Sequence, residues 1–112
     1  MDTSEWTQRL REFAIERDWE QFHTPKNLAM ALTVEASELV EIFQWLTPEE
    51  SARIMATERG QDVRDEIADV LTYLLRLADV LAIDLDQAMS DKFASSAARY
   101  TVEESKGNAE KR

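Results

Sequence analysis

Only two glycines and two prolines punctuate the 112 residues of this chain. Sandwiches and barrels need frequent turn signals, about one every 8–12 residues, so so sparse a supply disfavours them. Apolar residues recur instead at three- and four-residue intervals, the period of an amphipathic helix. That spacing predicts helices over 4–21, 27–46, 48–58, 61–82 and 85–99. Ser4 is the expected cap of the first. Pro25 suits a helix start just after it. Thr47, Pro48 and Glu50 make a capping box with proline at the first helical position, and Asp84 caps the last helix. The second helix carries the stripe Leu28, Leu32, Glu35, Glu38/Leu39, Ile42 and Trp45/Leu46. The fourth carries Val63, Glu66/Ile67, Val70, Tyr73/Leu74, Leu77 and Val80/Leu81. The fold class that follows is all-α, a bundle of four to five helices forming a single domain over 1–112, with a polar, frayed tail from about 101 onward.

Charge narrows the function classes. Thirteen Lys and Arg against 23 Asp and Glu give a net charge of -10. Nucleic-acid backbones require clustered cations, so no nucleic-acid partner is expected. Small phosphorylated ligands stay possible when divalent cations bridge carboxylate and phosphate. With no cysteine, thiolate nucleophiles, disulfides and Cys-ligated zinc are excluded. The first residues, Met1 to Glu5, show neither a basic n-region nor an apolar h-region, and no uncharged stretch approaches the length of a membrane span. The expectation is a cytoplasmic protein without a membrane partner. It is either an acidic helical enzyme that uses metal or an acidic helical interaction module.

Four acids stand in or beside the apolar stripes. Glu35 and Glu38 are three apart on one helix, and Glu66 and Asp69 repeat that spacing on another, so each pair shares a helix face. Buried carboxylates are costly unless cations offset them. Two facing pairs fit a hard divalent ion, Mg²⁺ or Mn²⁺. The competing reading is a solvated face, or a pairing of Glu35 with Lys26 or an arginine. Glu41, Glu49, Glu50 and Asp65 are most simply solvated. A second group is aromatic: Trp19, Phe22, His23, Trp45 and Tyr73. Phe22 reads as core. Trp19, His23 and Trp45, near helix ends, fit either core packing or a wall on which a base stacks.

Larger segments carry a resemblance. Glu35-Ala-Ser-Glu38 followed by Glu66-Ile-Ala-Asp69 resembles the ExxE…ExxD signature of the MazG-like, all-α nucleoside triphosphate pyrophosphohydrolases. The runs Phe13-Ala-Ile-Glu-Arg-Asp-Trp-Glu-Gln-Phe-His23, Pro25-Lys-Asn-Leu28, Glu38-Leu-Val-Glu-Ile-Phe-Gln-Trp45 and Asp69-Val-Leu-Thr-Tyr73-Leu, with Ile83-Asp84-Leu85 and Lys92, are similar to the dCTP pyrophosphatase branch. The resemblance covers about residues 8–100.

It implies Mg²⁺-dependent hydrolysis of a dNTP, dCTP or a modified dCTP favoured, to dNMP and pyrophosphate in cleansing the nucleotide pool. A dUTPase-like relative on the same fold is the neighbouring alternative. Glu35, Glu38, Glu66 and Asp69 would hold the metal, with Glu38 accepting the water's proton. Trp19, His23 and Trp45 would line the base pocket, with Asn27 also on the substrate. Tyr73 would meet the sugar or phosphate, and Lys92 the phosphates. The resemblance also implies a homo-oligomer, a tetramer built as a dimer of dimers or a dimer, with sites between subunits. One departure is visible. The family carries Asn and then Arg-Tyr-Pro late in the last helix; here Ser96 and Arg99-Tyr100-Thr101 stand instead. A hydroxyl cannot present the donor and acceptor pair of an amide, so base selectivity is expected to be less sharp.

Overall fold

A computed structural model describes residues 1–112. It is all-helical: α1 (Thr3–Glu16), α2 (Pro25–Phe43), α3 (Pro48–Ala52), a 3₁₀ turn (Ile54–Ala56), α4 (Gly60–Val80), α5 (Leu85–Arg99) and α6 (Val102–Ser105). No helix is long and apolar enough to cross a membrane. The chain forms two compact units, Met1–Ala82 and Ile83–Arg112.

In the first unit, Asp2 rather than Ser4 caps α1, its carboxylate accepting the Glu5 amide at 3.1 Å. The helix stops at Glu16, five residues before the expected end. Asp18 adopts a left-handed φ of 55°, Trp19 N–H donates to Ala14 O (2.9 Å), and Asp18 N–H donates to Ile15 O (3.0 Å). This pair of bonds is a Schellman closure, and Phe13 supplies the apolar contact such closures favour by packing edge-on against Trp19 with ring centroids 5.7 Å apart. An aspartate serves where glycine is usual because its short polar side chain tolerates the left-handed region. The segment after α1 is therefore a turn that carries Trp19 and His23 out of the helix.

Thr24 caps α2, accepting the Asn27 amide at 3.2 Å, with Pro25 at the first position. The Thr47–Glu50 capping box forms as expected. The helix predicted over 48–58 is instead α3 followed by the 3₁₀ turn. The chain there is drawn against α4: a Cβ on Gly60 would lie 3.1 Å from the Met55 carbonyl oxygen, a close approach that glycine permits.

α4 is the central element, packing against α2 most extensively and against α1. Ala14, Leu28, Ile42, Ile54, Val63, Leu75 and Ala78 form the buried core. Ile42, Ile54 and Val63 make one cluster, flanked by Leu39, Phe43 and Leu46. The expected α2 stripe is thus the packed face, except that Glu38 is exposed and Trp45 is 86% exposed. On α4, Ile67 and Leu74 face outward, because the buried positions include Leu75, Arg76 and Ala78 instead.

In the second unit Asp84 caps α5 as expected, accepting the Gln87 amide at 3.0 Å. The segment read as a frayed tail contains α6, capped by Thr101. Arg112 returns to it, its amide donating to the Tyr100 hydroxyl at 2.8 Å and its guanidinium pairing with Glu104 at 2.6 Å.

Candidate metal centre and aromatic cleft

The antiparallel pairing of α2 and α4 decides which acids meet. Ile42 and Val63 share a buried cluster, so one turn before Ile42 and one turn after Val63 the helices must again face each other. Glu38 and Glu66 occupy those turns. Carboxylate oxygens of Glu35, Glu38 and Glu66 lie within 4.8 Å of one another. Glu35 and Glu66 are half-buried and Glu38 is exposed. Asp69 lies outside this trio; it is exposed, one turn beyond Glu66, and its charge is felt by both Glu35 and Glu66.

The electrostatics are those of like charges held together. Burial pushes the Glu35 carboxyl up to about 7, helped by the adjoining Glu38 carboxylate and by the charge of Asp69. Burial also raises Glu66, with the charge of Glu38 next in weight. One oxygen of Glu35 and one of Glu66, both Oε2, are buried without any hydrogen-bond partner. Orphaned buried anionic oxygens are rare in proteins. Three convergent carboxylates with two such atoms form a donor set of hard oxygens that suits a divalent cation. An open acidic cleft of about 280 Å³ adjoins the trio, lined by Glu38, Glu41, Ile42, Arg59, Asp62, Asp65 and Glu66. Glu41 and Asp65, read from sequence as merely solvated, thus border the site. Arg59 is its one lining cation, held by Asp62 at 3.1 Å.

A pH dependence follows. Between its ordinary value of 4.5 and about 7, Glu35 keeps a proton in the folded protein that the unfolded chain has released. The metal-free protein should therefore lose this contribution as pH rises through that window. His23, held below its ordinary 6.5, acts in the opposite direction as pH falls. A millimolar divalent cation, binding the ionised acids, should raise the melting temperature more at pH 8 than at pH 5. Thermal melts with and without EDTA at both values check this, and the difference between them isolates the acids from His23.

Two helical turns along α4 from Glu66, about 10 Å away, Tyr73 borders a second cleft. It has a volume of about 210 Å³ and is lined by Leu10, Phe13, Ala14, Trp19, His23, Thr72, Tyr73 and Arg76. The structure therefore brings together Trp19, His23 and Tyr73. It does not bring Trp45 to them. Trp45 follows the far end of α2, 19 residues of helix and roughly 28 Å from the Thr24 cap beside His23. Asn27 does not line the cleft; its side chain donates to the Phe22 carbonyl at 3.0 Å and ties down the turn that holds His23. Lys92 and Ser96 lie one turn apart on α5 in the second unit, Lys92 exposed and Ser96 half-buried.

The MazG-like family model matches residues 30–112, which include all four acids. The chain belongs to the MazG-like family. Among curated relatives, bovine (Bos taurus) dCTP pyrophosphatase 1 is 43% identical over 99 residues, 88% of this chain and 59% of that protein. Human (Homo sapiens) dCTP pyrophosphatase 1 is 40% identical over 101 residues, 89% of this chain and 59% of that protein. The chain thus spans about three fifths of the length of these relatives. A crystal structure of a pyrophosphatase from Archaeoglobus fulgidus superposes with a TM-score of 0.82 at 41% identity, covering 88% of this chain and 91% of that one.

Sequence reasoning missed the charged residues behind the aromatic cleft. Arg76 is 4% exposed and donates through Nε to His23 Nδ1 at 3.2 Å. Its Nη1 reaches Asp79 at 3.0 Å, and Arg11 clamps Asp79 with bonds of 2.9 and 2.6 Å. The signal was present: Arg76 and Asp79 are the sole charges in the apolar run 70–83.

Proposed function

We propose that this chain is a divalent-metal-dependent nucleoside triphosphate pyrophosphohydrolase that converts a dNTP, with dCTP or a modified dCTP favoured, to the dNMP and pyrophosphate. The observation that carries the reading is the trio Glu35, Glu38 and Glu66 on α2 and α4, with two orphaned oxygens, together with an apolar aromatic cleft further along α4. The separation along α4 between Glu66 and Tyr73 suits a nucleotide lying with its phosphates at the acids and its base in the cleft. The names of the relatives point to the same substrate class.

Glu35, Glu38 and Glu66, with Asp69 beside them, would hold Mg²⁺ or Mn²⁺. When bound, the ion neutralises the triphosphate and polarises the α-phosphorus. Glu38, the exposed member of the trio, would take the proton of the attacking water. Trp19 stacks on the base, and Tyr73 meets the sugar. Lys92 and Ser96 keep the phosphate and base roles that the family resemblance implies for them. Mixing dCTP with the protein and Mg²⁺, then separating the products, tests the reading. Equal amounts of dCMP and pyrophosphate, abolished by EDTA, are expected; dCDP with orthophosphate overturns it.

A homo-oligomer, tetramer or dimer, completes this reading. Val34, Val40, Ile67, Leu74 and Trp45 are exposed on the first unit. Such apolar surface on a small domain is most simply covered by further copies. Trp45 would then serve the cleft of a neighbouring copy. Light scattering is expected to give two or four times 12.9 kDa at micromolar concentration; a monomer contradicts it.

A further inference from the structure

We propose that Arg76 is a positioning residue that fixes His23 as a neutral imidazole carrying its proton on Nε2, so that the aromatic cleft selects a planar ring whose edge offers hydrogen-bond acceptors. The clause about the ligand rests on the nucleotide reading above; the clause about His23 does not. Arg76 Nε–H can only donate, so His23 Nδ1, at 3.2 Å, must accept and carry no proton. The proton of the neutral ring is then on Nε2. Arg76 cannot turn away, because it is buried, its Nη1 binds Asp79, and Arg11 grips the same carboxylate through two bonds.

The other groups around the ring agree on balance. Burial and the charge of Arg76 both hold His23 below its ordinary value, while Glu20 opposes them. Arg11 in turn holds Asp79 down as the anion that Arg76 needs. Trp19, with its ring 6.3 Å from the imidazole, walls the same cleft. A ring lying there meets at His23 a donor and not an acceptor. All pyrimidines share the acceptor O2, but N3 is an acceptor in cytosine and bears a hydrogen in thymine or uracil, so a donor that faces N3 tells them apart. An N–H facing another N–H leaves both unpaired, which is how a polar site rejects a ligand.

The chain has a single histidine, so nitrogen-15 labelling of histidine in the full chain reports this imidazole alone. Long-range proton–nitrogen correlation at about pH 7 should show an unprotonated Nδ1 and a protonated Nε2. A proton on Nδ1, an averaged pair of tautomers or a doubly protonated ring overturns the proposal without any nucleotide present. In Arg76→Met the two tautomers should mix. KM for dCTP should then rise roughly tenfold, the worth of about one hydrogen bond, with a smaller change in kcat and a narrower preference for dCTP over dTTP. If that variant does not fold, Asp79→Asn loosens the same grip, and the wild-type spectrum is decisive on its own. Addition of a non-hydrolysable dCTP analogue should shift the Nε2–H resonance. A correct tautomer that the analogue leaves unmoved overturns the ligand clause while leaving metal-dependent hydrolysis intact. Failure to hydrolyse any dNTP, with the analogue still shifting Nε2–H, supports the His23 assignment and fails the enzymatic reading instead.

Discussion

Glu38→Gln is expected to lower turnover of dCTP by about 10²–10³-fold while leaving the helical content unchanged. The trio offers one oxygen from each of Glu35, Glu38 and Glu66 within 4.8 Å, and a neutral amide in place of Glu38 would remove both the charged ligand and the proton acceptor proposed above. The sign on stability is opposite. Glu38 helps to raise the Glu35 carboxyl, so its neutralisation relieves repulsion in the metal-free protein. The variant should therefore melt at or above the wild-type temperature in EDTA, and gain less from Mg²⁺. Circular dichroism melts beside a pyrophosphate-release assay check both halves; full Mg²⁺-dependent turnover would sink the role given to Glu38.

Ile42→Ala is expected to cost about 2–5 kcal/mol of stability, the usual range for emptying a buried isoleucine site. Ile42 is 7% exposed and packs with Ile54 and Val63 one turn from the acids. The cavity would loosen the lock that sets the spacing of α2 and α4 at Glu38 and Glu66. Divalent-ion affinity should fall with stability even though no ligand has changed. Urea unfolding gives the first quantity and calorimetric titration with Mn²⁺ the second. A loss of stability with unaltered ion affinity would show that the helix contact does not set the site.

The parts of this fold legible in the sequence are those governed by neighbours three or four residues away. Thr47 with Glu50, Pro25 and Asp84 mark helix starts because capping is local chemistry. The acids were visible because Glu35 and Glu66 interrupt apolar stripes. The end of α1 was not visible, because Asp18 closes it with the left-handed conformation usually left to glycine. Trp45 shares a predicted stripe with Ile42, yet α2 ends before it and leaves it exposed. Which three of four acids converge depends on the register of two helices separated by the α3 segment. Arg76 and Asp79 required knowing that α4 is covered on two sides, by α1 and α2.

The most direct test of the central assignment is a crystal structure with Mn²⁺ and a non-hydrolysable dCTP analogue, using the anomalous signal of manganese. The expected result is a manganese peak at bonding distance from Glu35, Glu38 and Glu66, with the cytosine ring against Trp19, its acceptor edge toward His23 and the sugar beside Tyr73. Manganese bound elsewhere, or a base lying outside the cleft of Trp19, His23 and Tyr73, would contradict it.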